Sequence, residues 1–126
     1  MDVTGKTAIV LGGTSGIGLA TTNRLTELGT KVVAVSREPE KAKDSVAQGV
    51  ELRSCSVLDR AGLTALFEEW SKFDILVCAA TGGSRAAGPF LEMDLDAYQA
   101  SFAKLWGYTN AVRLGAEHLD SQGAIV

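Results

Sequence analysis

Proline is scarce in this chain, with 2 in 126 residues, and cysteine is no commoner, also with 2. So little proline leaves no composition for stiff extended linkers. The cysteines, Cys55 and Cys78, sit in apolar strand-like runs without metal-ligand spacing. They read as reduced, buried thiols, and neither a disulfide framework nor a metal site is predicted. Basic charge is short as well: 12 Lys and Arg face 15 Asp and Glu, for a net charge of −3. No basic cluster stands out, so nucleic acid is not an expected partner. Long apolar runs are missing, since stretches such as Ile75 to Ala80 fall far short of the ~20 residues that cross a bilayer. The segment Met1 to Lys6 lacks the basic and apolar regions of a signal peptide. A cytosolic chain with no membrane partner is predicted.

What is present fits a folded domain. With 46% hydrophobic and 21% charged residues the composition supports a core. The length, 126 residues, is slightly under the ~150 of a typical domain, so residues 1–126 read as a single domain. Glycine is in excess, with 14, against a usual share of about 7%. Excess glycine without proline points to tight backbone approaches.

Periodicity divides the chain into alternating strands and helices. Lys6 to Leu11 is a short apolar run stopped by Gly12-Gly13, as expected of a strand buried on both faces. From Gly16 the stripe Ile17, Thr21, Arg24, Leu25, Leu28 predicts a helix, with Gly29 as its left-handed terminator. Lys31 to Ser36 is a second strand, and a short helix is predicted from Glu38 to Ala47, with Pro39 in its first turn and Gly49 beyond it. A third strand spans Val50 to Val57. Asp59 then caps a helix carrying Leu63, Leu66, Phe67 and Trp70. Phe73 to Cys78 is the fourth strand. A loop of small residues, Ala79 to Gly88 with Gly82-Gly83 in its middle, leads to a long helix capped by Asp94. Its apolar stripe runs Leu95, Tyr98, Phe102, Leu105, Thr109, Val112, Ala116, Leu119. Gly123 precedes Ala124-Ile125-Val126, a fifth strand cut off after three residues. This order predicts an α/β fold, a doubly wound parallel sheet truncated in the fifth strand, whose ligands bind at the loops after strands one and four.

Gly12-Gly13-Thr14-Ser15-Gly16-Ile17-Gly18 joins a strand to a helix, the context in which bare backbone N–H groups and a helix N-terminus receive a pyrophosphate. The spacing of Gly12, Gly16 and Gly18 resembles the glycine loop of the short-chain dehydrogenase/reductase family. Gly5-Lys6, Ser36-Arg37, Phe73 to Val77 and Leu105-Trp106-Gly107 are similar to that family too, so the likeness spans essentially the whole chain. The resemblance implies a Rossmann-type fold, a nicotinamide cofactor, hydride transfer to or from a small carbonyl or alcohol, and a homo-oligomer. Gly12, Thr14, Ser15, Gly16, Ile17 and Gly18 are the expected loop contacts. At the end of the second strand Ser36-Arg37 offers a hydroxyl and a fixed cation, suited to a 2′-phosphate, so NADP(H) is expected over NAD(H). The nearby Glu38 counts against this, and a solvated Arg37 is the competing reading.

Departures from the family pattern fall at three places. Ser56, beside Val57, stands where the family's adenine-contacting Asp is usual. Cys78-Ala79-Ala80-Thr81 replaces an asparagine-rich segment, leaving Ala79, Ala80 and Thr81 as small cofactor neighbours. Leu11 replaces a loop threonine. The family's catalytic lysine follows its tyrosine by four, whereas here Tyr98 is followed by Phe102 and Tyr108 by Val112. Lys104 falls on the family's helix asparagine and is the one catalytic candidate, with a solvated lysine as the alternative. His118, near the helix end, has no partner in sequence and is expected to interact with the helix terminus. Two readings stay open: the cofactor-binding portion of a reductase, inactive alone for want of the Ser and Tyr-x-x-x-Lys elements, and a non-catalytic dinucleotide-binding module.

Overall fold

Five parallel strands form one sheet in the order β3-β2-β1-β4-β5: β1 Thr7–Leu11, β2 Lys31–Ser36, β3 Glu51–Ser54, β4 Phe73–Cys78 and β5 Leu119–Ile125. The computed structural model describes residues 1–81 and 84–126; Gly82-Gly83 of the small-residue loop lie outside the described residues. Ile9 sits level with Val33 on one side and Leu76 on the other, so like residues of the three central strands share a face. One face carries Ile9, Leu11, Val33, Val35 and Leu76 into a core with Leu63, Leu66, Phe67 and Ala111. Those last residues belong to α2 (Arg60–Glu69) and α4 (Ala103–Gly115). On the opposite face, α1 (Gly16–Glu27) lies over β1 and β2. The strand order reverses between β1 and β4, and both strands end at the same level, with Leu11 opposite Cys78.

The opposite ends of β1 and β4 are pinned together. The Asp74 carboxylate accepts from the Thr7 backbone N–H at 2.8 Å and from Lys6 Nζ at 3.1 Å. The Thr7 hydrogen bond chiefly holds this carboxyl below its ordinary value; burial works against it, and the Lys6 hydrogen bond and charge add to the lowering. A carboxylate with a lowered folded pKa stabilises the fold above the unfolded value and loses that contribution as the pH falls through the folded one. Stability should therefore decline as the pH drops below 3.8, the ordinary Asp value, and Asp74→Asn should flatten that decline. Urea unfolding between pH 5 and about pH 2 measures it; parallel curves for both proteins would remove Asp74 as the cause.

Several elements differ from their sequence expectation. The predicted helix from Glu38 to Ala47 is a single 3₁₀ turn, Pro39–Ala42, followed by turns. Lys41-Ala42-Lys43-Asp44-Ser45 has no apolar face to dock, and so short a segment does not hold a helix without packing. Asn23 of α1 secures the irregular chain instead, accepting from Ala47 N at 2.8 Å and donating to Ser45 O at 3.1 Å. The third strand is shorter than Val50 to Val57, because Ser56 and Val57 turn away toward α2. The α1 stripe is also displaced. Gly18 and Thr22 are its buried residues, while Ile17 is 83% exposed. The Thr22 hydroxyl donates to Gly13 O at 2.9 Å, so the helix meets the sheet through its glycine-loop side.

The long helix is two helices. α3 (Leu95–Ala100) ends where Ser101 Oγ accepts from Ala86 N at 2.7 Å and donates to Ala97 O, drawing the preceding loop against the break before α4. The predicted stripe is a surface: Leu95, Tyr98, Phe102, Leu105 and Val112 are all exposed. The core face of α4 is instead Gly107, Asn110, Ala111 and Gly115. A Cβ at Gly107 would stand 2.6 Å from Val57 Cγ2, so small residues four apart let α4 lie close to its neighbours. Buried Asn110 fastens this contact, donating to Val57 O at 3.0 Å and accepting from Arg60 Nε at 3.1 Å. β5 begins at Leu119, well before Gly123, and its register with β4 shifts between Phe73 and Ile75. His118 closes the 3₁₀ turn Ala116–His118 after α4, and its Nδ1 lies 3.1 Å from Ser71 Oγ, a partner sequence spacing did not reveal.

Candidate functional site: a glycine-cradled cleft

The carboxyl ends of β1, β2 and β4 open into a cleft of about 350 Å³. Of the residues expected there from sequence, Gly12, Ser15, Gly16, Ile17, Ser36, Arg37, Ser56, Val57, Ala79, Ala80 and Thr81 line it. Thr14 and Gly18 are not among the lining residues. Gly18 acts from behind: a Cβ there would collide with the carbonyl of Gly12, so its bareness lets α1 start against the loop. Gly12 takes φ +76°, and a Cβ on it would stand 2.6 Å from Ala80 N. Its N–H donates to Val35 O at 2.8 Å, tying the loop to the end of β2. Leu11, Val35, Cys55 and Leu58 also line the cleft, brought in by strand ends that finish level, a feature of register that a linear motif does not contain.

At the β2 end, Ser36 Oγ is buried without a hydrogen-bond partner. Next to it the backbone is fixed, because Cys55 N donates to Ser36 O at 3.0 Å and Ser54 Oγ donates to Arg37 O at 2.9 Å. Arg37 is exposed and, among the described residues, makes no ion pair. Glu38 is occupied elsewhere, 2.7 Å from Lys41 Nζ, and that hydrogen bond chiefly holds its carboxyl below the ordinary value. Burial pushes both thiols up, with the Asp59 charge adding to the effect at Cys55, so Cys55 and Cys78 stay protonated near neutrality.

A second, wider cleft of about 610 Å³ adjoins the first, sharing Ile17, Ala79 and Thr81. Lys104 is placed here, not in the glycine-cradled cleft, together with Tyr108, whose ring centroid lies 5.5 Å from Lys104 Nζ. Tyr108 was not singled out from sequence as a site residue; its spacing of four from Lys104 on one helix was the available signal. Among the described residues no group of His, Cys, Asp and Glu is arranged to hold a metal, and no helix is long and apolar enough to cross a membrane.

A parallel sheet reversing at β1 and β4, with a glycine-cradled cleft over the reversal, is the arrangement of the doubly wound α/β class, in which dinucleotides bind at such a switch point. Residues 6–126 match the short chain dehydrogenase family, and the chain belongs to it. It is similar to the 3-oxoacyl-(acyl-carrier-protein) reductase FabG of Rickettsia prowazekii, 34% identical over 83 residues, covering 64% of this chain and 34% of that protein. Similarity to short-chain dehydrogenase reductase 4 of Arabidopsis thaliana is 34% over 107 residues, covering 79% of this chain and 36% of that one. The chain thus spans about a third of the length of these relatives. A solved short chain dehydrogenase/reductase family protein superposes with TM-score 0.79 at 28% identity, over 94% of this chain and 51% of the other. The crystal structure of serine dehydrogenase from Escherichia coli shares the fold, with TM-score 0.77 at 24% identity over 89% of this chain and 55% of the other. Membership implies use of a nicotinamide dinucleotide, and the cradle at Gly12 and the unpartnered Ser36 hydroxyl fit one.

Proposed function

We propose that this chain is the cofactor-binding portion of an NADP(H)-dependent oxidoreductase acting on a small carbonyl or alcohol, with Lys104 at the reacting end. The observation that carries the reading is the buried, unpartnered Ser36 hydroxyl beside Arg37, a guanidinium without an ion pair among the described residues, at one end of the cradled cleft. A hydroxyl and a bidentate cation so placed suit a 2′-phosphate. The loop from Gly12 to Ile17 would hold the pyrophosphate against backbone N–H groups at the start of α1, and Ser56 and Val57 would flank the adenine. Ala79, Ala80 and Thr81 lead toward Lys104. When bound, the nicotinamide supplies or accepts the hydride; the chain's own residues orient it and shield it from water. The protein is placed in the cytosol, where Cys55 and Cys78 stay reduced, and a second copy is the proposed partner for the exposed face of Leu95, Tyr98, Phe102, Leu105 and Trp106.

Titration of the chain with NADPH, followed by nucleotide fluorescence, should saturate, with NADH weaker by about tenfold or more. Absence of saturable binding would overturn the proposal. A non-catalytic dinucleotide-binding role is the second reading; it needs the cradled cleft alone and no proton donor. Turnover of NADPH with any carbonyl compound would exclude it.

A further inference from the structure

We infer that the glycine-cradled cleft takes a hypoxanthine dinucleotide as readily as an adenine one, with Ser56 as the residue that meets the amino or oxo group of the purine. The inference deepens the dinucleotide reading of this cleft and rests on it. Beyond Ser36 and Arg37, the wall that follows β3 is lined by Cys55, Ser56, Val57 and Leu58, none of which carries a carboxylate or an amide side chain. Asp59 comes next in sequence but is not among the lining residues; its carboxylate is turned to the start of α2, accepting from Gly62 N at 3.0 Å. The Cys55 thiol adds no anion, because burial and the Asp59 charge keep it protonated. Two backbone carbonyls of this wall are engaged as well. Ser56 O accepts from Asp59 N at 3.0 Å, and Val57 O accepts from Asn110 Nδ2 at 3.0 Å.

Adenine and hypoxanthine have nearly the same shape. They differ where an amino donor gives way to an oxo acceptor, with the adjacent ring nitrogen changing from acceptor to donor. A site separates such bases by leaving one of its own fixed polar groups unpaired against the wrong one. The polar groups of this wall are not of that kind. Ser56 Oγ accepts from Leu58 N at 3.2 Å, which holds the oxygen in place and leaves its proton and second lone pair uncommitted among the described residues. Such a hydroxyl accepts from an amino group or, after rotation, donates to an oxo group. The Val57 N–H likewise has no acceptor among the described residues, and both bases offer it a ring nitrogen. Neither group is left unpaired by either base, so the wall has no means of preferring one of them.

The test titrates the chain with NADPH and with its reduced hypoxanthine counterpart, following nucleotide fluorescence. The two affinities should agree within about threefold. In Ser56→Asp one carboxylate oxygen can still accept from Leu58 N, so the turn is kept, while the other becomes a fixed acceptor for the amino group. That variant should favour NADPH over the hypoxanthine form by about tenfold or more, as a charged hydrogen bond made to one base and not the other requires. The ratio of affinities is the readout, so repulsion between the new carboxylate and the phosphates, common to both ligands, cancels. A preference of about tenfold or more for either nucleotide in the parent chain would overturn the inference and leave the dinucleotide reading standing. An unchanged ratio in a folded Ser56→Asp chain would overturn the placement of Ser56 at the base. The comparison in the parent chain needs no variant, so it decides the matter even where the substitution disturbs folding. Failure of both nucleotides to saturate would sink the dinucleotide reading itself, and this inference with it.

Discussion

Gly18→Ala should weaken NADPH binding by about 100-fold or more and destabilise the fold by roughly 1–3 kcal/mol, the usual cost of forcing a methyl group into a packed site. The added Cβ would collide with the Gly12 carbonyl, which has little freedom to withdraw. Gly12 N and Gly13 N both donate to Val35 O, at 2.8 and 3.2 Å, and Gly13 O is held by the Thr22 hydroxyl at 2.9 Å. Relief of the clash must therefore lift α1 from the loop or break the anchorage to β2. Either movement disturbs the backbone groups proposed to meet the pyrophosphate, so binding should fall by more than the stability loss alone would cause. NADPH titration beside a urea unfolding curve separates the two effects. A variant that binds NADPH like the parent would show that the loop is not the dinucleotide site.

Where one physical pattern governed an element, the sequence was enough to place it. β1 and β2 are apolar runs rich in β-branched residues and buried on both faces, β4 is apolar apart from Asp74, and α2 is capped by Asp59, whose carboxylate accepts from Gly62 N at 3.0 Å. The helix of residues 95–119 was misread for a definite reason. Its large apolar residues repeat at helical spacing, but so do Gly107, Ala111 and Gly115, and periodicity alone cannot tell which stripe meets the core. Close approach decided it: the small stripe packs on Val57, Leu76 and Phe67, leaving Leu105 58% and Trp106 55% exposed. In the same way the segment 38–47 has helix-forming residues and a proline at its start, yet Pro39 is its one buried residue, too little packing to hold so short a helix.

The cleft was legible to the extent that it is local. The glycine loop and Ser36-Arg37 are contiguous motifs at strand ends, so context identified them. Leu58 and Cys55 arrive only because β3 finishes level with β2, with Ser36 beside Ser54. Lys104 was reached through family likeness, but its neighbourhood came from the fold. α4 runs past the end of β4, which sets Lys104 and Tyr108 around a cleft with Val77 and Thr81. Such juxtapositions depend on sheet order and helix placement, which the spacing of residues in one dimension does not encode.

Arg37→Ala should weaken NADPH binding by about 10- to 100-fold while changing NADH binding by about twofold or less. The arginine's backbone is already fixed by the Ser54 hydroxyl at 2.9 Å, so the substitution removes the guanidinium without releasing the strand end. Glu38, the carboxylate that would otherwise neutralise it, is 2.7 Å from Lys41. Because Arg37 is exposed, added salt should narrow the difference between the two nucleotides in the parent chain and have little effect in the variant. Ser36→Ala should produce a smaller loss in the same direction, since a neutral hydrogen bond is worth less than a charged one. Reversing the charge with Arg37→Glu should go further and make NADH the tighter ligand, because a carboxylate at this strand end suits a ribose hydroxyl and repels a phosphate. Parallel fluorescence titrations with the two nucleotides measure all three variants. Equal losses for NADPH and NADH in Arg37→Ala would mean that the guanidinium supports the cleft as a whole and does not select the phosphate.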